Sequence, residues 1–155
     1  MQKLLEKKYE DSIFYIIESC SKYFNKLFEQ YFKQNGIGLT PIEHLALKVI
    51  SDTKECSQRD LARIILKDRA NTGKLANSLE KKGLIKIEPK VKNNRPVKIL
   101  TVTKKGQEQY NNILNAAKPV LEKINSEISQ ESLNNAIKTI KDFKRIVHNA
   151  VEIDI

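Results

Sequence analysis

The stretch from Cys56 to Thr103 restricts the possible folds of this chain more than any other. Two short helical patterns meet at a tight turn and lead into two β-rich runs joined by a basic, Asn-rich tip. That order is a helix–turn–helix followed by a β-hairpin wing. Residues 57–105 hold fourteen Lys/Arg against four Asp/Glu, a net of +10, whereas the whole chain is +9. The positive field therefore belongs to one module, the footprint expected of a surface that meets nucleic-acid phosphate.

Within this stretch, Ser57 caps a short helix bearing Leu61, Ile64 and Ile65. After a turn at Leu66-Lys67, Asp68 caps a helix over 69–82, and Gly83 ends it just past two lysines. Leu75 and Leu79 are expected to point inward, with Thr72 and Ala76 beside them. Arg69, Asn71, Gly73, Lys74, Asn77 and Ser78 then fall on the other faces. Amides, a guanidinium and an ammonium are the groups that bond base edges and phosphates. One polar helix alone is as readily a solvated face; the helix–turn–helix spacing and the basic wing favour a recognition helix. An exposed mid-helix glycine costs about 1 kcal/mol relative to Ala. Gly73 thus reads either as a close approach of backbone to groove or as drift. Ile85–Glu88 and 97–102 alternate as strands do, and 89–96 reads as a loop carrying Lys90, Lys92 and Arg95. That loop is either a mobile hairpin or a wing laid along a minor groove.

The flanks are helical. Apolar residues recur from Ile13 through Ile16, Ile17, Cys20, Phe24, Leu27 and Phe28 to Phe32, predicting an amphipathic helix over 9–33 that stops at Asn35-Gly36. A stripe this wide exceeds what a small winged domain can cover and calls for helices of a second subunit. Thr40-Pro41 with Glu43 starts the next helix as a capping box, and it ends near Asp52. Thr103 caps a long helix in which Pro119 is expected to introduce a kink, and a last helix opens near Ser129 or Glu131. The fold class is mainly α with a small β-hairpin wing. Residues 37–103 form the winged helix–turn–helix, and 1–36 with 104–155 form a helical dimerisation region.

A chain of 155 residues is one domain, or a small domain with extensions. No apolar run approaches the roughly 18 residues that span a bilayer. The first residues carry no apolar core of a signal peptide, so a cytoplasmic setting with reduced thiols is expected. Cys20 reads as a packed thiol in the apolar stripe, and Cys56 as a thiol ahead of a helix cap, open to solvent. His44 and His148 are too few for a metal site. No Gly-rich phosphate loop or nucleophile with a nearby His is present, so no catalytic residue, metal or cofactor is expected.

Several segments in order resemble the MarR family of bacterial winged-helix transcription regulators. They are Thr40-Pro41 with Leu47; Ser57-Gln58 with Asp60-Leu61-Ala62; Lys67-Asp68-Arg69; Leu79-Glu80-Lys81-Lys82-Gly83-Leu84-Ile85; and Thr103-Lys104-Lys105-Gly106. The resemblance implies a homodimer that places recognition helices in major grooves and wings in minor grooves of a pseudo-palindromic duplex DNA operator. Carried over by position, Ser57 and Gln58 anchor phosphate, and Arg69, Asn71, Gly73, Lys74 and Asn77 face the major groove. Lys90, Lys92, Asn94 and Arg95 form the wing. The family also implies a small aromatic or anionic effector, for which Cys20, Phe24 and His44 are the candidates. Two departures stand out. The usual Asp-x-Arg wing tip is here Asn94-Arg95-Pro96, and the turn residue that is often Gly is Leu66, expected to pack inward. The alternative reading is a nucleoid-type or RNA-binding winged helix with little sequence preference.

Overall fold

The computed structural model describes residues 8–92 and 94–151. Asn93 of the wing tip lies outside the described residues, as do residues 1–7 and 152–155 of the flanking segments. The chain divides into two compact units, residues 1–45 and 46–155.

In the first unit a short 3₁₀ turn, Tyr9–Asp11, precedes helix α1, Ile13–Gln34. The helix begins later than its apolar pattern because Ser12 is extended, at φ −81° and ψ 126°. It ends as a Schellman motif: Gly36 takes φ 63°, and Ile37 N–H donates to the Phe32 carbonyl at 2.8 Å. Helix α2, Pro41–Asp52, opens with the expected capping box. Thr40 N–H donates to Glu43 Oε2 at 2.8 Å, and Glu43 N–H to Thr40 Oγ1 at 3.3 Å. Those bonds satisfy a carboxylate that is otherwise buried. Phe14, Tyr23 and Phe24 along α1 remain 60%, 69% and 51% exposed.

The second unit holds the rest of α2, then β1 (Cys56–Ser57), α3 (Gln58–Ile65), α4 (Arg69–Lys81), β2 (Ile85–Lys92), β3 (Arg95–Val102), α5 (Lys104–Glu127) and α6 (Gln130–Ala150). Its core gathers Leu47, Leu61, Leu79, Ile85, Ile99 and Leu100, each essentially without solvent contact. Burying a side chain of this kind contributes about 1.5–3 kcal/mol. Beside the core, Lys48 Nζ bridges Asp52 at 3.0 Å and the Tyr110 hydroxyl at 3.1 Å, holding the end of α2 to α5. Ser57, Asp68, Thr103 and Ser129 cap α3, α4, α5 and α6 through their side chains. Pro119 lies inside α5 without ending it.

The sheet is larger than a hairpin. It has three strands in the order β1-β3-β2, all antiparallel, and the wing strands run through most of the segment expected to be a loop. Pro89 pairs with Lys98 and Pro96 with Val91. Both prolines are tolerated because of their register. Ile87 N–H points off the sheet and donates to Glu80 Oε1 at 2.9 Å. By the two-residue repeat of a strand, position 89 also faces away from β3, and its partner series carries Pro96 outward too. Neither proline removes a rung of the ladder.

The corner joining α4, the wing and α5 is fastened by the residues that carry the family resemblance. Gly83 takes φ 73°, and Leu84 N–H closes α4 on the Leu79 carbonyl at 3.0 Å. Thr103 Oγ1 donates to the Gly83 carbonyl at 2.7 Å and accepts from Gly106 N–H at 3.0 Å. A methyl on Gly106 would lie 2.0 Å from the Leu84 carbonyl oxygen, so only glycine admits this approach.

Candidate nucleic-acid interface

Helix α4 follows α3 after a three-residue link whose first residue departs from expectation. Leu66 is left-handed, at φ 53° and ψ 49°, and 56% exposed, so it does not pack inward. It occupies the place that Gly36 and Gly83 take at the other two such helix ends, with Lys67 N–H donating to the Ala62 carbonyl at 3.0 Å. The backbone there requires a positive φ, and the side chain is turned outward by it.

Helix α4 buries Thr72, Ala76 and Leu79, whereas Leu75 is only half-buried. Three of the four residues expected to face inward are thus buried, and Leu75 sits at the edge of that stripe. Thr72 meets its buried polarity locally, its hydroxyl donating to the Asp68 carbonyl at 2.8 Å. Arg69, Asn71, Lys74 and Asn77 lie exposed on the opposite side. Asn71 is also tied into the helix start: its N–H donates to Asp68 Oδ1 at 2.8 Å and its Nδ2 to Asp68 Oδ2 at 2.5 Å. Those two bonds hold the Asp68 carboxyl below the usual carboxylate range.

Gly73 is half-buried, not on the outer face. A methyl there would come 3.1 Å from Gln58 Nε2. Gln58 reaches across from α3 and donates to the Arg69 carbonyl at 3.3 Å. The missing side chain at 73 thus makes room for Gln58. Ser57 is committed as well: its hydroxyl accepts from Asp60 N–H at 3.1 Å and bonds Asp60 Oδ2 at 2.5 Å. Ser57 thus spends its polar atoms on the cap of α3, and Gln58 on the α3–α4 joint.

On the wing, Asn94 adopts φ 57° at the tip and Arg95 is exposed beyond it. Lys92 and Lys90 both reach Glu55, at 2.5 and 3.5 Å, just before β1. Lys92 first, then Lys90, draws the Glu55 carboxyl below its ordinary value. Glu55 thus ties down the wing where an Asp-x-Arg pair is lacking.

Between these parts lies a cleft of about 450 Å³ lined by Ser57, Gln58 and Arg59 at the start of α3, Arg69 of α4 and residues 95–98 of β3. It brings four of the sequence-predicted residues together: Ser57, Gln58, Arg69 and Arg95. It also adds Arg59 and Lys98, which the charge pattern alone does not single out. Lys74, Asn77, Lys90, Lys92 and Asn94 are not part of its lining.

The effector candidates lie in the first unit. Cys20 and Phe24 are exposed on α1, so Cys20 is not a packed thiol within the single chain. His44 is half-buried, with the rings of Phe28 and Phe32 at 5.2 and 5.7 Å. Cys56, expected near the surface, is fully buried in β1 opposite Leu100. Burial pushes its thiol up to about 11. Among the described residues no group of three or more His, Cys, Asp or Glu is placed to hold a metal, and no helix is long and apolar enough to cross a membrane.

Helix–turn–helix, three-stranded wing and basic face define a winged helix–turn–helix protein. Residues 37–95 match the MarR family model. No curated protein sequence matches the chain. Among solved structures, the chain is similar to S. aureus MepR in its DNA-binding conformation, at 16% identity and a TM-score of 0.75 over 86% of this chain and 96% of that one. A MarR protein from Peptoclostridium difficile is similar at 21% identity and a TM-score of 0.73, covering 90% of each chain. Streptococcus pneumoniae FabT in complex with DNA is similar at 20% identity and 0.66, over 88% of this chain and 97% of that chain. At these identities the likeness establishes the fold.

Proposed function

We propose that this chain is a sequence-specific DNA-binding transcriptional regulator, a repressor acting as a homodimer on a pseudo-palindromic operator. The observation that carries the reading is the set of exposed cations on the start of α4, in the cleft beside it and on the wing. That face has the composition and the helix-plus-ribbon geometry that duplex DNA demands. MepR and FabT, whose folds this chain shares, are described in DNA-binding or DNA-bound states.

The dimer is supported by surface left open in the single chain. Helix α6 has no buried residue, and Ile137, Ile140 and Ile146 on it are 50%, 48% and 59% exposed. Leu114, Val120 and Leu121 of α5 and the aromatic stripe of α1 are similarly open. Exposed apolar surface of this kind marks an interaction site. In this reading residues 37–103 bind DNA and 1–36 with 104–155 dimerise. Release by a small aromatic or anionic effector at Cys20, Phe24 and His44 is the further element of the proposal.

The reading with little sequence preference has one observation in its favour: Asn71, one of the amides assigned to the major groove, is bonded within the protein. Arg69, Lys74 and Asn77 remain for the groove. Anisotropy on a duplex between 50 and 200 mM salt, with sedimentation to give the assembly state, tests the proposal. A protein that neutralises six to ten phosphates loses about 10³–10⁵ in affinity over that range. A salt-insensitive complex, or a strict monomer at micromolar concentration, contradicts it.

A further inference from the structure

We propose that the cleft between α3, α4 and the wing is a phosphate seat, in which Arg59, Arg69, Arg95 and Lys98 close on a single phosphate group. Four cations arrive there from three separate segments of the chain, and no carboxylate lines the cleft. The acidic groups nearby are engaged elsewhere: Asp60 with Ser57, Asp68 with Asn71, and Glu55 with Lys90 and Lys92. Among the described residues none of the four cleft cations has an ion-pair partner. Four positive charges gathered around one concavity repel one another and draw an anion in. Pro96 and Val97 complete the lining on the side of β3.

The residue types narrow the ligand further. Three of the four are arginines, whose planar forks pair two N–H groups with two oxygens of a tetrahedral oxyanion. The shared chemistry is that of phosphate, from either of two sources. A DNA backbone phosphodiester passing between recognition helix and wing is one, and that source rests on the DNA-binding reading above. Free inorganic phosphate is the other. Neither Arg59 nor Lys98 is needed by the fold, since both side chains are exposed.

The test uses the full chain with Arg59→Gln, Lys98→Gln and the double variant, and Lys118→Gln on α5 as a charge control. Inorganic phosphate titrated at constant ionic strength should shift the backbone amide resonances of residues 57–59 and of Arg95, Val97 and Lys98, and the double variant should weaken that response at least fivefold. On one duplex, the slope of log affinity against log salt should fall by about 0.9 for each phosphate no longer neutralised. Lys118→Gln should leave both readings unchanged. A response in the phosphate arm alone supports a free-anion seat, and a change in the DNA slope alone supports a backbone seat. If wild type binds DNA and neither arm responds to the double variant, the seat is overturned and the DNA-binding reading stands. If wild type binds neither DNA nor phosphate, both fall.

Discussion

Gly73 lies beneath the side chain of Gln58, so close that a methyl in its place would come 3.1 Å from Gln58 Nε2. In the sequence this glycine suggests an opening toward the groove; in the fold it is a seat for the neighbouring helix. Ala is favoured over Gly in a helix interior by about 1 kcal/mol. Gly73→Ala should therefore stabilise the protein by close to that amount in a Gln58→Ala background, and by clearly less in wild type. Urea unfolding of the four proteins in the cycle measures the difference; equal gains in both backgrounds refute the seat.

Leu66 holds a left-handed backbone that costs a non-glycine residue about 1–2 kcal/mol. Its side chain is more than half exposed, so little packing disappears on removing it. Leu66→Gly should raise the unfolding free energy by up to about 1 kcal/mol, part of the relief being offset by greater freedom of the unfolded chain. Urea unfolding measures this. A lower stability would mean that Leu66 packs in the assembled protein strongly enough to outweigh the strain.

Gly106→Ala should do the opposite. Its methyl would meet the Leu84 carbonyl at 2.0 Å, and backbone must move to admit it. Overpacking of this kind costs about 1–3 kcal/mol. Urea midpoints unchanged from wild type would show that the corner is looser than this geometry.

Glu55 joins the body of the domain to Lys92 and Lys90 of the wing. Its carboxyl is held below the ordinary value, so the tie persists above the unfolded-state pKa and is lost as pH falls through the folded one. Glu55→Gln should loosen the wing at neutral pH and release two lysines. Affinity for random duplex should rise and its salt dependence steepen. No change in either would mean that the exposed pairs contribute nothing measurable, as many surface ion pairs do.

Cys56 should stay unmodified by thiol reagents at pH 8 while the protein is folded, because burial holds it as the neutral thiol to about 11. The same raised value means that stability falls as pH rises from the free-thiol range toward 11. Mass spectrometry after alkylation in native and denaturing buffer checks the first point, and rapid native labelling of Cys56 contradicts it.

Much of the fold is legible in the sequence because its signals are local. The caps at Ser57, Asp68, Thr103 and Ser129, and the stops at Gly36 and Gly83, each need only three or four neighbouring residues to be read. What escapes depends on partners distant in sequence. Pro89 and Pro96 argue for a loop, and only the pairing with β3 shows that both face off the ladder. β1 is two residues long and exists because Leu100 and Ile99 lie opposite it. Gln58 meets Gly73, and Glu55 meets Lys92, only across the folded domain. Arg59 and Lys98 are visible as charges but not as neighbours of Arg69 and Arg95.

The central claim is specific recognition of duplex DNA by the basic winged face. The direct measurement is affinity at one fixed salt, near physiological, for duplexes selected by this protein from genomic fragments and for random duplexes of equal length. Specific protein–DNA complexes exceed their non-specific counterparts by about 10³–10⁷, and a ratio within that range is the predicted result. A ratio near one, with binding to both, would contradict sequence-specific regulation and leave a protein that coats DNA or RNA without reading it.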